Sequence, residues 1–149
     1  MTVTMRVLQW LCRLILAAVF IASGVIKARA TLQFAVAITG YRIVPEQYVF
    51  DIARWFPWVE IALGLIILSG IKIRWSSIAA TGLMLFFIIL LSITLYRGID
   101  TNCGCFGFGD RITWKTILRD GSFLVPAMFL VIQSWWPKRA NAQIAEIPA

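Results

Sequence analysis

The chain has 149 residues, 60% of them hydrophobic and only 14% charged, with a net charge of +7 and no histidine. Soluble domains carry roughly 25% charged residues, and a chain this small cannot hide so much apolar side chain in a core of its own, so its solvent is a bilayer. The missing histidine excludes His-ligated haem, His-containing zinc sites and His-based general bases, while Lys and Arg scattered singly or in pairs between apolar runs suit lipid headgroups rather than nucleic acid.

A spanning helix needs about 20 mainly apolar residues, with roughly 17 as a floor. The first candidate is VLQWLCRLILAAVFIASGVI, about 7–26. Arg13 interrupts what would be the uncharged core of a secretory signal. This segment is therefore expected to remain as a permanent helix, with Arg13 at the membrane surface or against protein. Next comes KARATLQFAVAITGYRIVPEQYVFDIARW. Its start, Thr31–Ile38, is apolar but too short to span. Tyr41, Tyr48 and Trp55 punctuate the rest, which predicts a short helix or loop at the interface.

The second span is the short run FPWVEIALGLIILSGI, about 56–71, with Pro57 expected at the helix start and Gly64 at a close-packing spot. The third, WSSIAATGLMLFFIILLSITLY, about 75–96, is the most purely apolar. The fourth, about 117–136, opens with Arg119 and Asp120 and contains Pro126. A polar, Ala-rich tail over 137–149 is expected to be poorly ordered. No internal repeat and no long linker divides the chain. The expected architecture is an all-α membrane protein: a four-transmembrane-helix bundle, one domain over 1–149, with a short interfacial segment between spans one and two. The Trp residues read as interfacial anchors.

Four spans place both termini on one side. Arg6, Arg13, Lys72, Arg74, Lys138 and Arg139 belong to that side, with Lys72 and Arg74 in a tight turn. The other side carries eight basic residues, but spread over two longer loops that also contain acids, so the density of positive charge favours N- and C-termini in the cytoplasm of an inner membrane and the loop IDTNCGCFGFGD (99–110) in the periplasm. In either orientation, alternation brings Lys27, Glu60, Arg97, Asp100, Cys103, Cys105, Arg119 and Asp120 toward one membrane surface.

Cys103 and Cys105 are two of three cysteines in the chain. Two residues of extended backbone reach about 7 Å, and a disulfide needs Cα atoms about 4.4–6.8 Å apart. A bend at Gly104 closes that gap. Such a ring is strained, hence labile in exchange, and nearly useless as a staple because stabilisation grows with loop length. Spacing alone leaves redox exchange and an inert dithiol both open. A metal site is disfavoured without His or a further Cys pair, and an oxidising compartment favours exchange. Lys27, at the mouth of the first helix, and Glu60, expected one turn inside the second, read as an ion pair closing the bundle. Alternatively they, with Arg97, shift a thiol pKa or relay a proton.

In order and across nearly the whole chain, LAAVFIASGVIK (16–27), FPWVEIALGL (56–65), DTNCGCFG (100–107) and LRD (118–120) resemble the MauE branch of the MauE/DoxX redox-associated membrane proteins. CGCFG is the most specific element. The resemblance implies that Cys103 and Cys105 are the redox pair, set among Gly104, Phe106 and Gly107. It matches Lys27 and Glu60 to the family's lysine after the first helix and glutamate in the second. It further implies thiol–disulfide exchange with a periplasmic thioredoxin-fold protein or a disulfide-containing client during protein maturation, as in the family's part in methylamine utilisation.

The layout is also similar to thiol oxidoreductases of the vitamin K epoxide reductase and DsbB type. The second cysteine pair of a complete relay is missing, however, because Cys12 stands alone. No cofactor is evident; a quinone is compatible with the layout, but no quinone site is legible. The competing reading is a non-catalytic accessory subunit of a larger membrane complex, its cysteines locking a loop; small residues such as Ala18 and Ala22 fit either reading. A transporter is disfavoured by the lack of repeats.

Overall fold

The computed structural model describes residues 3–99 and 112–135. Among the described residues all regular structure is helical: α1 Val3–Arg29, α2 Thr31–Tyr41, α3 Glu46–Ser69, α4 Ile73–Tyr96, α5 Trp114–Ser122 and α6 Leu124–Trp135. Four stretches are long and apolar enough to cross a membrane: α1, α3, α4 and the continuous run Trp114–Trp135 formed by α5 and α6. At 1.5 Å per residue the 24 residues of α3 or α4 extend about 36 Å, more than the ~30 Å hydrocarbon layer. The chain is a multi-pass membrane protein.

The second span departs from the reading of its apolar run. It starts at Glu46, not near residue 56, because α2 packs along its first half. Phe34, Ala35 and Ile38 of α2 bury Val49 and Ala53 of α3, so these turns are held by protein despite their mixed composition. Pro57 consequently lies in the helix interior and is buried, rather than at the helix start. It offers no N–H to the carbonyl one turn earlier, that of Ala53. Glu60 moves with it, from one turn inside the helix to its fifteenth residue. The segment between spans one and two is the helix α2, ended at Arg42 in a left-handed conformation.

α1 and α3 run antiparallel in close contact, and two glycines permit it. A Cβ on Gly24 would lie 2.6 Å from Ile61 Cγ1 and 2.7 Å from the Pro57 carbonyl oxygen. One on Gly64 would lie 2.8 Å from Ile21 Cγ1 and 3.1 Å from the Ala17 carbonyl oxygen. These are small residues where backbones meet, the usual solution when lipid supplies no hydrophobic drive between helices.

At the end of the bundle that holds the N-terminus, two arginines close helix C-termini. Arg13 donates to the carbonyls of Ile67 (3.1 Å) and Leu68 (2.7 Å) at the end of α3, and stacks over Trp10. Arg74 donates to the Ser134 carbonyl (2.8 Å) near the end of α6 and faces Trp135. A guanidinium complements the exposed carbonyls and negative dipole of a helix end. Next toward the membrane centre comes a dry layer of Leu16, Ala17, Ile67, Ala80, Ala127 and Leu130, all within 2% of full burial.

Candidate functional site

Beyond that dry layer the interior turns polar. Lys27 lies about 21 Å along α1 from Arg13, fourteen residues at 1.5 Å each. Its Nζ donates to Glu60 Oε1 of α3 at 2.7 Å, and the two side chains are 1% and 4% exposed. Ser23, one turn back on α1, donates to Glu60 Oε2 at 3.5 Å. The remaining faces of the ammonium are covered by rings. Nζ lies 4.7 Å from the centroid of Phe87 (α4), 5.2 Å from Phe34 (α2) and 5.4 Å from Phe56 (α3), all within cation–π reach. Phe56 in turn meets Phe87 edge-on at 5.6 Å. Every helix but α5 and α6 thus contributes to enclosing one cation.

The carboxylate side opens onto a cavity of about 50 Å³ between α1 and α4. Its walls are largely apolar, from Val19, Phe20, Leu83, Met84 and Ile88, and its polar groups are Ser23, Lys27, Glu60 and Asp120. Asp120 reaches it from α5, is 8% exposed, and accepts from Arg119 Nε at 3.1 Å. Phe123, at the break between α5 and α6, completes the lining. The break is a single turn, in which the Phe123 N–H bonds the Asp120 carbonyl at 3.2 Å.

α5 is amphipathic in the sense opposite to a soluble helix. It exposes Trp114 (71%) and Leu118 (73%) and buries Thr116 and Asp120. The Thr113 and Thr116 hydroxyls pair at 3.2 Å, so Thr113, Thr116 and Asp120 form a polar line leading inward from the chain that follows residue 111.

The sequence-predicted residues therefore divide. Lys27, near the end of α1, and Glu60, midway along α3, are brought together as a pair buried in protein. Arg97 stands exposed at the end of α4 and forms no ion pair among the described residues. Cys103, Gly104, Cys105, Phe106 and Gly107 lie outside the described residues. Sequence reasoning missed Phe34, Phe56 and Phe87, since apolar side chains in apolar helices carry no mark of which one meets a cation. It also missed Ser23, although Ser23 and Lys27 share one face of α1 at i, i+4 spacing.

A family model described as "Methylamine utilisation protein MauE" matches residues 5–133. The methylamine utilization protein MauE of Paracoccus denitrificans is 29% identical over 142 residues, covering 92% of this chain and 74% of that protein. The protein of the same name from Methylorubrum extorquens is 24% identical over 112 residues, 73% of this chain and 60% of the relative. No solved structure matches. The family match takes in all four spans, the Lys27–Glu60 pair and the cysteine loop between α4 and α5, and the chain belongs to the MauE family.

Proposed function

We propose that this MauE-family protein exchanges electrons with a partner through thiol–disulfide chemistry at Cys103 and Cys105. The observation that carries the reading is the sequence CGCFG, set between the end of α4 and the start of α5. A partner thiolate attacks one sulfur of the Cys103–Cys105 bond, and the other sulfur leaves as a thiolate and takes up a proton. The partner's second thiolate then attacks the mixed disulfide. The partner ends as a disulfide and Cys103 and Cys105 as a dithiol, and the reverse sequence moves two electrons the other way. The relatives' names place them in methylamine utilisation. The same setting here implies a periplasmic thioredoxin-fold partner, or a disulfide-containing client, during protein maturation. Arg13, Lys72 and Arg74 gather at the end of the bundle opposite the cysteine loop, which supports cytoplasmic termini in an inner membrane and a periplasmic loop.

The test is a trap. Cys103→Ser or Cys105→Ser removes the resolving thiol, so a mixed disulfide accumulates as a reductant-sensitive adduct of raised mass. Ala18 and Ala22, exposed on α1, favour a second reading, an accessory subunit that packs a helix against a larger complex. Absence of any adduct from both variants, with full function retained in cells, would select that second reading.

A further inference from the structure

The interior polar group is more than is needed to close a bundle. Ionisable side chains inside membrane spans are costly and gather where protons or ions are handled. Here two carboxylates on different helices, Glu60 of α3 and Asp120 of α5, face one cavity. At about 50 Å³ the space holds roughly three to five waters, taking 10–15 Å³ for each. Its walls are mainly apolar, but Ser23, Lys27, Glu60 and Asp120 line it and are the polar partners a buried water needs.

The two ends of this space differ. Toward the N-terminal side of the bundle stands the dry layer of Leu16, Ile67, Ala80, Ala127 and Leu130. Toward the cysteine-loop side run Thr116 and Thr113, whose hydroxyls can pass a proton by exchanging donor and acceptor roles. The charged groups around Glu60 are Lys27 from α1 and, across the cavity, Asp120 and Arg119 from α5; α2 and α4 present only Phe34, Phe87 and aliphatic side chains there.

We propose that Glu60 and Asp120, bridged by water in this cavity, form a one-sided proton store that serves the cysteine loop through Thr116 and Thr113. The inference rests on the thiol-exchange reading for its purpose. A thiol must lose a proton to become the attacking thiolate, and the displaced thiolate must gain one. A carboxylate that takes the first proton and returns it to the second balances the exchange without drawing on an oxidant, a reductant or a transmembrane flow. Lys27 is the fixed countercharge, held by the three rings, that keeps one carboxylate ionised while the pair shares a proton.

The experiment uses the full chain in phosphatidylcholine nanodiscs and infrared difference spectroscopy of the carboxylic acid C=O band. In a Cys103→Ser/Cys105→Ser variant, which cannot exchange, a deuterium-sensitive band grows as pH falls. Glu60→Gln and Asp120→Asn each remove or displace it. Thr116→Val leaves the ion pair intact and the final amplitude unchanged, but slows the band's rise after a pH jump by about tenfold or more. In the wild-type chain, chemical reduction of the cysteines at constant pH changes the same band. A band untouched by both carboxylate variants, or an unaltered rate in Thr116→Val, overturns the proton store. Reduction that leaves the band unmoved in a chain shown to exchange thiols also overturns it, and leaves the proposed function standing. A normal pH-driven band in a chain that forms no mixed disulfide overturns the proposed function and the store's service to the cysteine loop, and leaves only a proton-binding carboxylate pair.

Discussion

The Lys27 ammonium and the Glu60 carboxylate meet at 2.7 Å across the α1–α3 contact, the first 1% and the second 4% exposed. Both charges have left water, so their attraction is set against a desolvation cost of several kcal/mol per ion. What tips the balance is completeness: Glu60 also accepts from Ser23, and three rings cover the ammonium.

Breaking the pair from one side is therefore expected to cost more than removing it. Glu60→Gln leaves a buried ammonium without its countercharge, at about 3–5 kcal/mol, and lowers the yield of folded protein in membranes. Lys27→Met with Glu60→Gln recovers part of that yield. A double variant as poor as the single one would show that the pair is not what holds these helices together.

Among the three rings, Phe87 is nearest to Nζ at 4.7 Å. Phe87→Leu keeps apolar volume and loses the quadrupole, which is worth about 0.5–2 kcal/mol for a desolvated cation. Its neighbour Phe86 is 56% exposed and supplies the control. Thermal unfolding in detergent should drop for Phe87→Leu and barely move for Phe86→Leu. Equal shifts would mean that the ring acts through packing alone.

The α1–α3 contact predicts a contrast between glycines. Gly24→Ala sets a methyl 2.6 Å from Ile61 Cγ1 and 2.7 Å from the Pro57 carbonyl oxygen, and backbone cannot yield cheaply. Overpacking of this kind costs about 1–3 kcal/mol. Gly82 in α4 has nothing within 4 Å of its missing Cβ, so Gly82→Ala is expected to be neutral or to stabilise by up to ~1 kcal/mol through helix propensity. Unfolding midpoints of the two variants check both signs.

Topology is open to labelling. In reduced, intact spheroplasts a membrane-impermeant maleimide should modify Cys103 or Cys105 and spare Cys12, which is 8% exposed and lies in α1 toward the opposite side. Modification of the loop only after lysis would reverse the proposed orientation and remove the oxidising-compartment argument for exchange.

The four spans were legible in the sequence because a bilayer imposes a length and a composition that each apolar run must satisfy by itself. The α1–α3 contact was partly legible too, since Gly64 sits where only a small residue suits helix packing. Three other features were decided by tertiary structure. The start of α3 at Glu46 depends on Phe34, Ala35 and Ile38 arriving from α2 to cover Val49 and Ala53, so the apolar run from residue 56 does not by itself show it. The place of Glu60 midway along α3, and its burial against α1, follow from that start. The enclosure of Lys27 needs Phe34, Phe56 and Phe87 from three helices to converge. A sequence states which residues are apolar, but which ring faces a cation is fixed by helix rotation and crossing, and these are set only when the helices pack.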